Sequence, residues 1–178
     1  MPVVPMAPMA PMAPFPAGRR DRRATGGALV TVFMADEQTL SVDLPGLQRL
    51  ARFVLQAQHV PEAMEVSLLC VDVEAMTQLN HHHMGAVGPT DVLAFPIDLP
   101  GESLGPEPAI LGDVVLCPAV AVEQAARHGG TPDSEMQLLV VHGILHLLGH
   151  DHAEPEERDV MFALTDRLLT AFRAQAAT

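Results

Sequence analysis

Residues 132–152 read PDSEMQLLVVHGILHLLGHDH, and the run Leu138–Leu148 inside them is apolar nearly all the way round a helix. A helix of that kind has no solvent face, so other elements must cover it. Thr131-Pro132 marks its start, with Asp133 and Glu135 in the first turn, where carboxylates favour the helix dipole. Gly149 marks its end, because glycine takes the left-handed conformation that turns a chain back.

The elements that could cover such a helix precede and follow it. Ala28–Met34 reads as a strand, and Gly46–His59 as a helix with Leu47, Leu50, Phe53 and Val54 at helical spacing. Glu65–Val73 reads as a strand, Glu74–Asn80 as a short helix, and Thr90–Phe95 as a strand bounded by Gly88-Pro89 and Pro96. Residues 98–108, rich in Pro, Gly and acids, form a loop before the strand Ile110–Cys117. Pro118 suits the first position of a helix reaching His128, and Gly129-Gly130 ends it. A last helix follows Pro155, with Val160, Leu164, Leu168 and Phe172 along one stripe. The order β-α-β-α-β-β-α-α-α predicts an α/β (α+β) fold. A small mixed four-stranded sheet packs against about five helices in one domain, residues 27–178.

Composition bounds what such a domain can do. The chain has 178 residues, of which 48 % are hydrophobic, enough for one sizeable core. No apolar run reaches the ~20 residues that span a bilayer, so a soluble protein is expected. Cys70 and Cys117 are far apart and lie in apolar strands, which predicts two buried, reduced thiols and a cytosolic compartment. Net charge is −12, and every basic residue is an arginine. Arg19, Arg20, Arg22 and Arg23 against Asp21 give residues 1–26 a charge of +3, which leaves −15 for the body. An acidic body repels phosphates at long range, so charge alone argues against a nucleic-acid partner. Residues 5–14 repeat Pro-Met-Ala in triplets that favour extended polyproline II. Residues 1–26 are therefore read as a disordered extension rather than as a secretory signal.

The chemistry sits in the histidines of the opening quotation. Positions four apart on a helix differ by only ~40° around the axis and ~6 Å along it. His142 and His146 therefore project from one face and can share an ion. On a continued helix His152 would lie ~240° round from His146, but the turn at Gly149 lets it reach the same ion from below. Three neutral imidazoles with an open fourth position describe a catalytic zinc site, although nickel or copper would bind the same donors. The alternative is three histidines hydrogen-bonded to backbone carbonyls. The spacing HxxxHxxGxxH is also that of metzincin proteases, whose general-base glutamate would fall on Gly143. Without that carboxylate, peptide hydrolysis by the zincin route is not available.

HGILHLLGHDH, together with Pro89–Pro96 (PTDVLAFP) and Leu111–Val115 (LGDVV), resembles the YbeY family of bacterial rRNA maturation factors over most of residues 28–172. The resemblance implies a single-domain, zinc-bound, single-strand-specific endoribonuclease. It would mature the 3′ end of small-subunit (16S) rRNA and serve ribosome quality control in the cytoplasm, with rRNA and the small ribosomal subunit as partners. It implies no DNA and no membrane partner. Carried over by position, the zinc ligands fall on His142, His146 and His152. The chain departs from the family at two places. His150 stands where the histidine motif often has tyrosine. Met84 stands where many members have an arginine, whose guanidinium would fork onto a phosphate. Two other functions remain open: a zinc metalloprotease-like hydrolase with another base, and a non-catalytic ribosome-assembly factor with structural zinc.

Several further residues have two readings each. His81, His82 and His83 could replace the missing cation or bind a second metal, but a solvated turn is preferred because consecutive positions diverge. Asp113 lies in an apolar strand and needs a partner: a zinc-ligand imidazole, a helix cap or a backbone amide. It and Asp151 are the catalytic candidates, although Asp151 is read first as a turn residue. Asp91 could line a cleft or begin a strand. Glu154, Glu156 and Glu157 suit a helix N-terminus and need no function.

Overall fold

The computed structural model describes residues 30–101, 109–150 and 154–176. Its elements are β1 (Thr31–Glu37), α1 (Leu44–Ala57), β2 (Glu65–Val71), α2 (Val73–Met84), β3 (Val92–Pro96), β4 (Ile110–Leu116), α3 (Pro118–His128), α4 (Pro132–Leu147) and α5 (Pro155–Ala176). The order is the one expected from the sequence. The strands form one mixed sheet in the order β1-β2-β4-β3, with β1, β2 and β4 parallel and β3 antiparallel to β4.

Parallel strands covered on both faces read as continuous apolar runs, and β2 and β4 do so for that reason. Val66, Leu68 and Cys70 of β2, with Val114 and Leu116 of β4, meet Leu50, Val54, Val140, Ile144, Leu145 and Met161 from α1, α4 and α5. Val71, Leu93, Phe95, Val115 and Cys117 pack on the opposite face with Met76 of α2. Helix α4 lies at the centre: Leu139, Val140, Val141, Ile144, Leu145 and Leu147 are all buried. Among the described residues no helix is long and apolar enough to cross a membrane. Cys70 and Cys117 are both buried and free, as expected.

Several element boundaries differ from the expectation for identifiable reasons. Helix α1 begins at Leu44, ahead of Gly46, because the Asp43 carboxylate accepts the Gly46 N–H at 3.0 Å and caps it. Helix α2 runs one turn beyond Asn80 and ends on Gly85 at φ 63°, so His81–His83 are helical rather than in a turn. On α5 the buried face is Met161, Leu164, Thr165, Leu168 and Leu169, while Val160 is 62 % exposed. The stripe is therefore turned by about one residue from the expected one, although Phe172 stays on it and meets Phe53 at 5.6 Å.

Candidate metal centre

Helix α4 is fixed at both ends. Thr131 Oγ1 accepts the Ser134 N–H at 3.1 Å and Ser134 Oγ accepts the Thr131 N–H at 3.0 Å, a reciprocal cap. At the far end Gly149 adopts φ 85°. Its N–H donates to the His146 carbonyl at 3.0 Å, and the His150 N–H donates to the Leu145 carbonyl at 3.0 Å. That pair of bonds closes the helix and turns the chain back.

Between these ends the helix lies unusually close to the sheet. A Cβ on Gly143 would meet Val114 Cγ1 at 2.5 Å and Val92 Cγ2 at 3.4 Å. The position that carries glutamate in a zincin is here a contact between helix and sheet, so no side chain fits there. Gly112 of β4 plays the matching role: its Cβ would strike the Phe95 carbonyl oxygen and the Leu147 side chain. Asp91 anchors the strand that Gly143 touches. Its carboxylate accepts the Val92 N–H at 2.8 Å, the Thr90 hydroxyl at 3.0 Å and the Gln124 amide at 2.9 Å. Its carbonyl accepts the Cys117 N–H at 2.8 Å. Asp91 thus ties β3 to β4 and α3, which favours the structural of its two readings.

One side of α4 next to this contact carries His142 and His146. His146 is buried, at 8 % exposure, and His142 is half-buried. Their Nε2 atoms stand 3.1 Å apart, with ring centroids at 4.7 Å and planes at 81°. At that distance the two nitrogens share a hydrogen bond only when one ring carries its proton on Nε2. Two nitrogen ligands at about 2.0–2.1 Å from a tetrahedral zinc stand about 3.3 Å apart, so the pair fits a single ion. Holding it requires both rings in the Nδ1–H tautomer, leaving both Nε2 lone pairs available. His146 also lies in the last turn of α4, where the partial negative charge of the helix end favours a cation. His152 and Asp151 lie outside the described residues, as do residues 1–26. Among the described residues no three His, Cys, Asp or Glu side chains converge on one point.

The remaining candidates are placed elsewhere. Asp113 shares the face of β4 with Val115 and Cys117, toward α2, while Val114 and Leu116 face α4. The sheet therefore stands between Asp113 and the α4 imidazoles. Met84 is partly buried against the Met76–Leu93–Phe95 cluster, so the position where the sequence resemblance calls for an arginine carries an apolar contact here. His82 and His83 meet edge-on at 4.6 Å, and His83 leans on Phe95 at 5.0 Å. Burial, followed by its neighbour His82, holds His83 below the ordinary histidine pKa. His150 is half-buried beside an open cleft of about 290 Å³ lined also by Gly149, Glu156, Glu157 and Val160. Glu156 and Glu157 sit in the first turn of α5, as expected.

Sequence reasoning missed one aromatic residue. The ring of Phe162, on α5, stacks on His142 with centroids 6.4 Å apart and planes at 23°. No spacing within either helix could have announced a contact between two helices.

Residues 33–173 match the family described as Endoribonuclease YbeY. A protein of that name from Salinispora tropica is 48 % identical, over 82 % of this chain and 98 % of its own length. Another from Acidothermus cellulolyticus is 49 % identical, over 82 % and 93 %. The solution structure of TM1509 from Thermotoga maritima shares the fold at a TM-score of 0.54 and 22 % identity, over 82 % of this chain and 93 % of that one.

Proposed function

The chain belongs to the YbeY endoribonuclease family, and on that premise we propose that it is a zinc-dependent endoribonuclease cutting single-stranded RNA. Its task on this reading is maturation of the 3′ end of small-subunit (16S) rRNA and quality control of that subunit. The relatives' shared name supports the RNA-cutting part. The observation that carries the metal part is the 3.1 Å separation of His142 Nε2 and His146 Nε2. His152, just past the turn at Gly149, is the proposed third ligand. Zinc bound by these residues supplies a Lewis acid for a phosphate oxygen.

The protein's own residues set the conditions for that chemistry. The Gly143 contact and the Asp91 anchor hold the two imidazoles against a rigid sheet. The Thr131 cap and the Gly149 turn fix the ends of their helix. Buried Leu145, Leu147 and Ile144 behind them limit solvent access and strengthen electrostatic interactions. Two buried, free thiols accord with the cytosol, where rRNA is found.

The test is cleavage of a small-subunit rRNA precursor by purified protein, run beside EDTA-treated protein and the His146→Ala variant. Cleavage by the untreated wild type alone is expected. Equal cleavage in all three would identify a contaminant and contradict the reading. Met84 favours one second reading, an assembly factor with structural zinc, because an apolar contact stands where the resemblance calls for an arginine suited to a phosphate. That reading predicts bound zinc, loss of folding on chelation and no cleavage of any RNA. A protease is disfavoured by Gly143, since the zincin glutamate has no room there.

A further inference from the structure

An acidic chain that handles RNA needs a way of holding it that does not depend on charge. Stacking of a base on an aromatic ring is such a way, and it suits unpaired strands because every base has a π-face. Aromatic residues are scarce here: the chain has six phenylalanines, no tyrosine and no tryptophan. Phe53 and Phe172 are occupied with each other, and Phe95 is buried under α2. Phe162 is different. It is 40 % exposed, and its ring runs near-parallel to the imidazole of His142, a proposed metal ligand, with centroids 6.4 Å apart. An apolar ring of that size left in solvent beside a reactive centre loses hydrophobic stabilisation unless something covers it. Arg158 sits one turn earlier on α5, and residues four apart share a helix face. Its side chain is 50 % exposed, and among the described residues its ion-pair partner is the adjacent Asp159 at 3.7 Å.

We propose that Phe162 is the stacking platform for an unpaired nucleobase next to the scissile phosphate, with Arg158 meeting the neighbouring phosphate. This rests on the nuclease reading above and deepens it, because it names what holds the single strand at that site. The base covers the exposed face of Phe162, beside the His142 imidazole. The backbone beside that base then runs past the two imidazoles. Phe162 is a substrate-positioning residue, and its effect belongs in binding rather than in the chemical step.

The test is a cycle between protein and substrate. An unstructured RNA 12-mer and a series in which each nucleotide in turn is abasic are cleaved by wild type, Phe162→Ala and Phe162→Tyr. Phe162→Ala should raise KM about tenfold, with kcat and zinc content unchanged. One abasic position should raise the wild-type KM by a similar factor and cost Phe162→Ala nothing more. Phe162→Tyr should restore the wild-type KM. Arg158→Gln should weaken binding evenly across the series and flatten its salt dependence. Losses that multiply at every abasic position would overturn the proposal, because Phe162 would then only shield His142. If the wild type cuts no RNA, the nuclease reading fails by itself. The same cycle, read as fluorescence anisotropy of the labelled oligonucleotides, then decides the stacking claim.

Discussion

Gly143 sets how closely the histidine helix lies on the sheet, and it does so by having no side chain. The space a Cβ would need is taken by Val114 and Val92. Gly143→Ala should therefore destabilise the fold by about 1–3 kcal/mol through overpacking, despite the higher helix propensity of alanine. Urea unfolding followed by circular dichroism measures it; a stabilised variant would show that α4 can rise from the sheet at no cost. The two imidazoles beside it were legible from residue identity, because a spacing of four puts them on one face. What the spacing could not supply was the 8 % exposure of His146, which comes from the packing of α4 within the core. Asp113 shows the converse. Its apolar surroundings pointed to a buried carboxylate, whereas Asp113 is only half-buried, and which face of β4 it occupies depends on the register near Gly112, where the pairing with β2 shifts.

The ends of helices carry most of what local sequence can say about elements. Helix α4 ends on a left-handed glycine, while α1 ends by the same hydrogen-bond pattern with His59 at φ 56°. The His59 N–H donates to the Gln56 carbonyl and the Val60 N–H to the Leu55 carbonyl, both at 3.0 Å. A side chain in that conformation is strained, and glycine relieves the strain at some cost in unfolded-chain entropy. His59→Gly should stabilise the protein by about 0.5–1 kcal/mol, seen as a higher melting temperature; a lower one would mean that the imidazole makes a compensating contact. The nine elements and their order were legible because each has its own period and punctuation. The extra turn of α2 was not, since Asn80 resembles a helix end while its amide is in fact donated to the Gly88 carbonyl at 2.8 Å. Nor was the sheet order, since β3 finds its place beside β4 through pairing rather than local pattern.

Taken whole, the chain has no lysine and no tyrosine, so little but its two thiols titrates between the neutral range and strong alkali. Burial, with Asp36 and then Cys117 adding to it, pushes the Cys70 thiol from 9.0 to about 12. Burial raises Cys117 as well. The folded chain thus keeps a proton that the unfolded chain loses above pH 9. Stability should hold below that pH and decline above it, by up to about 1.4 kcal/mol per pH unit from Cys70. Urea midpoints at about pH 8 and about pH 10.5 measure the decline, and the Cys70→Ala/Cys117→Ala variant should lose most of it. An equal decline in that variant would place the alkaline limit elsewhere.

At this same scale the net charge of −12 makes the proposed metal site the natural place for an RNA backbone to meet positive charge. The most direct test is the metal content of the purified protein by mass spectrometry, with His142→Ala and His146→Ala confirmed as folded by circular dichroism. The expected result is about one zinc per wild-type chain and almost none in either variant. A full complement of zinc in both variants would contradict it.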